Sequence, residues 1–192
     1  MVMDALILRF IDVRQPGAKA LAGDVLENPM HRQVHDFAYR VHELTPASFD
    51  SPLHVLEIGA RNVNGTLRPM FIAQEYVGCD IVEGPGVDLV RNAKDLDYPD
   101  GSFDTVFSTE TLEHTSDWQA VLKNMWRMTK PGGLMFVTAA GVGRQIHGDQ
   151  GKWGDSYRNL LREDLDHWRE HLMLYEEDHV AHDIRAAWRK PP

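Results

Sequence analysis

Residues 53–65 read LHVLEIGARNVNG, an apolar run that ends in Glu57 and then turns at Gly59 into a polar loop. A strand with this continuous apolar character is covered on both faces, and such strands belong to parallel sheets flanked by helices. The run therefore sets Gly59 at the carboxyl end of a buried strand. Open α/β sheets bind ligands in the crevice outside those ends, where a glycine lets the backbone turn sharply and approach a ligand closely.

The rest of the chain continues the pattern in order. A second apolar piece, Tyr76 to Ile81, carries Asp80 about 20 residues beyond the first loop, where a carboxylate can accept hydrogen bonds from ribose hydroxyls. Asp104 to Ser108 follows the turn Pro99-Asp100-Gly101-Ser102 and reads as another buried strand. Leu134 to Thr138 follows Pro131-Gly132-Gly133, a break after the helix-like segment Trp118 to Thr129. Before the first strand, Val34, Phe37, Ala38, Val41 and Leu44 recur at helical spacing, which predicts a helix over residues 28–45 packed over the ligand mouth. Near the end, Tyr157, Leu161, Leu165, Trp168 and Leu172 recur at intervals of three and four, which predicts an amphipathic helix. Two short strands follow, Met173 to Glu176 and Asp183 to Trp188.

Four stretches, LEIGARNVNG, VGCDI, NAKDLDYPDGSFDTVFSTETLEH and MWRMTKPGGLMFVT, together resemble the class I S-adenosylmethionine-dependent methyltransferases. The resemblance is firm over residues 50–143. It implies a Rossmann-like α/β fold: a mostly parallel, doubly wound sheet with helices on both faces and an antiparallel C-terminal edge hairpin. It implies S-adenosyl-L-methionine as cofactor, with Glu57, Gly59, Arg61 and Gly65 around its methionine end and Asp80 and Ile81 beside the ribose. Asn92 stands where the family usually has an acid that accepts from the adenine amino group, Ala93 would offer its backbone N–H to the ring, and Ser108 and Thr109 would lie by the methyl. Asp104 either orients the loop beyond its strand or is a strand-start acid satisfied by neighbouring amides.

The loop departs from the family pattern, since Gly59 and Gly65 are well separated and Arg61 stands where a second glycine is common. A pyrophosphate needs a bare backbone cradle, but S-adenosylmethionine has no phosphate, and Arg61 could pair with its carboxylate. The absent GxGxxG fingerprint and Tyr-x-x-x-Lys pair count against an NAD-dependent oxidoreductase.

The 192 residues, 43% apolar and 26% charged, suit one domain. Within it, residues 50–143 form the cofactor core and residues 144–192 the acceptor loop, a helix and the final strands. The formal charge of −9 argues against a nucleic-acid partner, because affinity for phosphates comes mainly from clustered Lys and Arg. No apolar run reaches the length of a membrane span and the start lacks a secretory pattern, so a cytoplasmic enzyme is expected. Cys79, alone, reads as reduced core filler. His31 and His35 are four apart but have no third ligand at an established spacing, so no metal site is expected.

The acceptor end is less patterned. A glycine-containing loop, Gly141 to Asp149, leaves a strand end beside the expected methyl, and His147 is the first candidate for a base, oriented by Asp149. Glu113 and His114 are the competing pair. The expected activity is methyl transfer to an oxygen or nitrogen of a small-molecule acceptor. The alternatives are a non-catalytic binding or scaffold protein on the same fold, and the oxidoreductase.

Overall fold

The computed structural model describes residues 29–147 and 157–192. Seven strands form one sheet: β1 (Leu53–Ile58), β2 (Ala73–Asp80), β3 (Leu89–Val90), β4 (Phe103–Thr109), β5 (Thr129–Ala140), β6 (Leu172–Asp178) and β7 (Asp183–Arg189). Their order is β3-β2-β1-β4-β5-β7-β6. The first five pair in parallel, and β7 runs antiparallel to both β5 and β6. The order reverses between β1 and β4, which makes a crevice at their carboxyl ends. This is the expected Rossmann-like sheet with its C-terminal antiparallel hairpin.

Because side chains alternate across a strand, neighbours feed two separate cores. Val106, Met135 and Val137 face α2 (Trp118–Met128), which buries Trp118, Val121, Leu122, Met125 and Met128 at helical spacing. Phe107 and Phe136 face the other way, stacked 4.8 Å apart, toward Phe49 and Phe71 and toward α1 (Pro29–Leu44) with its buried Val34, Phe37, Ala38 and Val41. Cys79 is buried between strands, and burial pushes its thiol up to about 11, so it stays protonated.

The segment between β1 and β2 holds one short 3-10 turn, Arg68–Met70. Two expectations change. The Pro131-Gly132-Gly133 break lies within β5 as a register shift against β4, not ahead of the strand. The helix expected over residues 157–172 shrinks to the four-residue α3 (Arg162–Leu165), followed by a 3-10 stretch kinked at Trp168. Its first part is held straight by bonds to distant backbone: Arg158 N–H donates to Glu113 O (2.8 Å) and Leu160 N–H to Ala140 O (2.8 Å). Those partners lie far away in sequence and override the local helical period.

Candidate active site

A cavity of about 900 Å³ opens along the carboxyl ends of β1, β2 and β4. Of the residues expected to hold cofactor, Glu57, Gly59, Arg61, Gly65, Asp80, Ile81, Asn92, Ala93 and Thr109 all line it, as do Val34 and His35 from α1. Ser108 does not; it is fully buried, and its Oγ has no partner among the described residues.

At one end the backbone shapes the cavity. Gly59 turns the chain with φ +78°, and a Cβ there would lie 1.9 Å from Thr111 Oγ1, so only glycine fits. The amides of Gly59 and Ala60 donate to Cys79 O, tying the loop after β1 to the end of β2 (2.8 and 3.1 Å). Asp80 completes the tie: Oδ2 accepts from Arg61 N (3.1 Å) and Oδ1 from Val82 N (3.0 Å). Gly65 N donates to Asn62 Oδ1 (2.7 Å), closing the polar loop. Asn92 Oδ1 accepts from Lys94 N (3.1 Å), which fixes the turn carrying Ala93.

Glu57 forms the floor. Burial pushes its carboxyl up to about 7, against the hydrogen bond that Tyr76 OH donates to Oε2 (2.7 Å). Arg68 lies over the Tyr76 ring and pairs with Asp88. These three side chains carry no motif of their own in the sequence.

The opposite end gathers the candidate catalytic residues. His114, His147 and Tyr157 form a triangle of rings with centroids 5.1 to 5.3 Å apart, and all three line the cavity. His147 Nδ1 lies 3.1 Å from Gln145 O and 3.2 Å from Tyr157 Oη. Burial, with the neighbouring His147, lowers His114 to about 4, so its imidazole is neutral at pH 7. Burial raises the Tyr157 phenol to about 12. Glu113 is fully buried behind this group, off the cavity wall. Burial and then the neighbouring Glu110 hold its carboxyl well above the usual range, with Oε1 accepting from Ala140 N (3.2 Å).

Glu110 belongs to the same end, with a left-handed backbone (φ 48°) and its Oε1 bonded to Thr138 Oγ1 (2.8 Å). Burial raises it to about 7. Beneath the two glutamates, Asp183 takes Arg144 (2.6 Å) and Arg185 (2.9 Å). Asp149, expected to orient His147, lies outside the described residues. Asp104 sits at the amino end of β4, away from the cavity, and accepts from His54 N (2.9 Å) and Lys130 Nζ (2.8 Å): it is the satisfied strand-start acid.

Residues 56–137 match the sequence model of the family described as "Methyltransferase domain". Over 79 residues, 40% of this chain, the sequence is 38% identical to a 2-methyl-6-phytyl-1,4-hydroquinone methyltransferase from Synechocystis sp.. The chain covers 24% of that relative's length. Among solved structures, the fold is similar to the 1,6-didemethyltoxoflavin-N1-methyltransferase of Burkholderia thailandensis, solved with bound 1,6-didemethyltoxoflavin and S-adenosylhomocysteine. There the TM-score is 0.56 at 17% identity, covering 96% of this chain and 99% of that one. The fold is equally similar to the 4+2 cyclase SpnF, with a TM-score of 0.58 at 17% identity over 90% and 88% of the two chains.

Proposed function

We propose that the chain carries a class I methyltransferase domain and that it binds S-adenosyl-L-methionine across the ends of β1, β2 and β4. The proposed reaction passes the methyl group to an oxygen or nitrogen of a small-molecule acceptor. One observation carries this reading: a single cavity joins a carboxylate at the end of β2, a glycine turn at the end of β1 and a cluster of imidazoles beyond β4.

Each end suits one part of the reaction. Asp80 spends one lone pair of each oxygen on the backbone, and an ionised carboxylate offers about four, so two remain for the ribose hydroxyls. Asn92 Oδ1 likewise keeps one lone pair for an adenine amino group. Ile81 and Ala93 supply apolar contact for the ring. Glu57 stands where the cofactor ammonium would pair with it, and Arg61 where the carboxylate would. The methyl then points along Thr109 toward His114 and His147.

Transfer from a sulfonium is an in-line displacement: the acceptor atom forms a bond to the methyl carbon as the carbon–sulfur bond breaks. Positive charge on sulfur disappears, so the protein gains most by holding the acceptor within about 3 to 3.5 Å of the methyl and excluding water. An imidazole, that of His147 or His114, is then placed to take the acceptor's proton. Glu113, fully buried behind the two histidines and off the cavity wall, does not meet the acceptor. The cavity is within the range of ligand pockets, about 300 to 1,000 Å³, that enclose a cofactor or small molecule.

Thermal shift with S-adenosylmethionine, S-adenosylhomocysteine and NAD in parallel tests the reading. Ligand at a hundred times its dissociation constant stabilises by about 2.7 kcal/mol, a rise of about 5 to 10 °C for a domain of this size. A rise with the two sulfur ligands alone is expected. No rise with either moves a scaffold role to the front, and a rise with NAD overturns the assignment.

A further inference from the structure

The acceptor end contains buried polar atoms that methyl transfer does not use. Glu110 Oε2 and Glu113 Oε2 are both buried, and neither has a hydrogen-bond partner among the described residues. A buried polar atom left unmatched costs about 1 to 3 kcal/mol, and such atoms are rare in native proteins without a water or an ion to meet them. Two of them side by side, next to two imidazoles, point to a missing positive charge.

We propose that Glu113, His114 and His147 form a binding site for one divalent transition-metal ion of the zinc or manganese class. Ligand atoms of the three side chains all lie within 4.8 Å of one another. An ion with bonds of about 2.0 to 2.2 Å brings its ligands to about 3 to 3.5 Å from each other, a contraction within reach of side-chain rotation. Two imidazoles and one carboxylate are the donor set of catalytic zinc sites and of open-sided iron or manganese sites.

The surroundings are those of ligand histidines. A metal-bound imidazole donates its other ring N–H to a carbonyl, which fixes its tautomer. His147 Nδ1 meets Gln145 O (3.1 Å), and a carbonyl can only accept, so Nδ1 carries the hydrogen and Nε2 the lone pair. Tyr157 Oη, 3.2 Å from the same nitrogen, braces the ring. On Glu113, the Ala140 amide holds Oε1 and leaves Oε2 as the ligand atom. Three protein ligands leave a coordination position open toward the cavity, where the ion would hold an acceptor oxygen and lower its pKa. That last role rests on the methyl-transfer reading; binding of the ion does not.

The test is calorimetric titration of the chelator-treated chain with ZnCl2 and MnCl2, with Co²⁺ absorption as a spectroscopic probe of the coordination. One ion per chain at micromolar or tighter affinity is expected. His114→Ala, His147→Ala and Glu113→Gln should each weaken it by at least about tenfold. S-adenosylhomocysteine is titrated into the same preparations. A variant that keeps that affinity is folded, and a wild type that binds metal but not S-adenosylhomocysteine sinks the methyltransferase reading while leaving the ion site standing. No metal uptake by the wild type overturns the proposal. So does a His114→Ala and His147→Ala pair that each bind as tightly as wild type, since the ion would then be held by histidines elsewhere.

Discussion

The two ends of the cavity differ in how their polar groups are satisfied. At the end formed by Gly59, Asp80 and Asn92, each side-chain acceptor meets a backbone amide within two or three residues or on the adjacent loop. At the end formed by Glu110, Glu113, His114 and His147, carboxylate oxygens are buried unmatched and the partners come from β5 and from Tyr157. A site made of neighbouring backbone is finished before its ligand arrives. A site of buried, unmatched side chains gains stability only when something binds. Substitutions should therefore act on affinity at the first end and on turnover at the second.

The largest effect is expected at Gly59. A valine there must adopt a positive φ, costing about 1 to 3 kcal/mol, and collide with Thr111, costing about as much again. Gly59→Val should lower the melting point by about 5 °C or more and abolish the further rise with S-adenosylhomocysteine. A variant with wild-type melting and a full cofactor shift would break the claim that backbone shape builds this end.

Two substitutions, one at each end, separate affinity from turnover. Asp80→Ala removes the acceptor of Arg61 N and Val82 N and of the proposed ribose bonds, and should weaken S-adenosylhomocysteine by about 1.5 to 3 kcal/mol, read by calorimetry. His147→Ala should leave that affinity alone and slow turnover about a hundredfold, whether the imidazole takes a proton or holds an ion. If both variants lose affinity to the same degree, the two ends are one coupled network and the comparison fails.

The difference also explains what the sequence could reveal. Gly59, Asp80 and Asn92 lie in strands and the turns directly after them, so their places at the cavity follow from local order, and the resemblance over residues 50–143 falls on this part. The acceptor end joins Glu113 and His114 to His147, Tyr157 and Asp183 across three connections, and no spacing records such a meeting. Tyr157 entered the sequence pattern only as one position of a helix that does not form, because Arg158 and Leu160 are fixed by backbone from Glu113 and Ala140. Ser108 fits the motif of its strand, yet it is fully buried and does not line the cavity. His114 and Glu113 were legible as a pair; that they meet His147 was not.

A smaller effect is tied to pH. Burial holds Glu57 near 7, above its ordinary value of 4.5, so the native state keeps a proton that the unfolded chain has lost. Its contribution to stability is full below about pH 4.5 and is lost as pH rises through about 7. Glu57→Gln removes the titrating group, and its melting point should fall less than that of wild type across this window. A cofactor ammonium beside Glu57 selects the carboxylate, so wild-type affinity for S-adenosylhomocysteine should rise about tenfold from pH 6 to 8 and that of Glu57→Gln should not. Equal slopes in the two proteins would move the ammonium elsewhere.

The smallest effect belongs to a residue that touches no ligand. Asn124, on α2, donates through Nδ2 to Ala93 O (2.8 Å) and Leu96 O (3.0 Å), and Arg127 bonds both Asn124 Oδ1 (2.9 Å) and Leu96 O (3.1 Å). The turn that carries Asn92 and Ala93 is thus held from behind by a helix. Asn124→Ala leaves two part-buried carbonyls without this donor, so urea unfolding should show a loss of about 1 to 2 kcal/mol with an unchanged slope. Loosening the turn should also cost cofactor affinity about threefold, while turnover at saturating cofactor stays at the wild-type value, because nothing in the chain of bonds reaches His114 or His147. A fall in turnover under saturation would mean that α2 links the two ends, through Trp118 and Val121 near the acceptor side, and that the cavity works as a single unit.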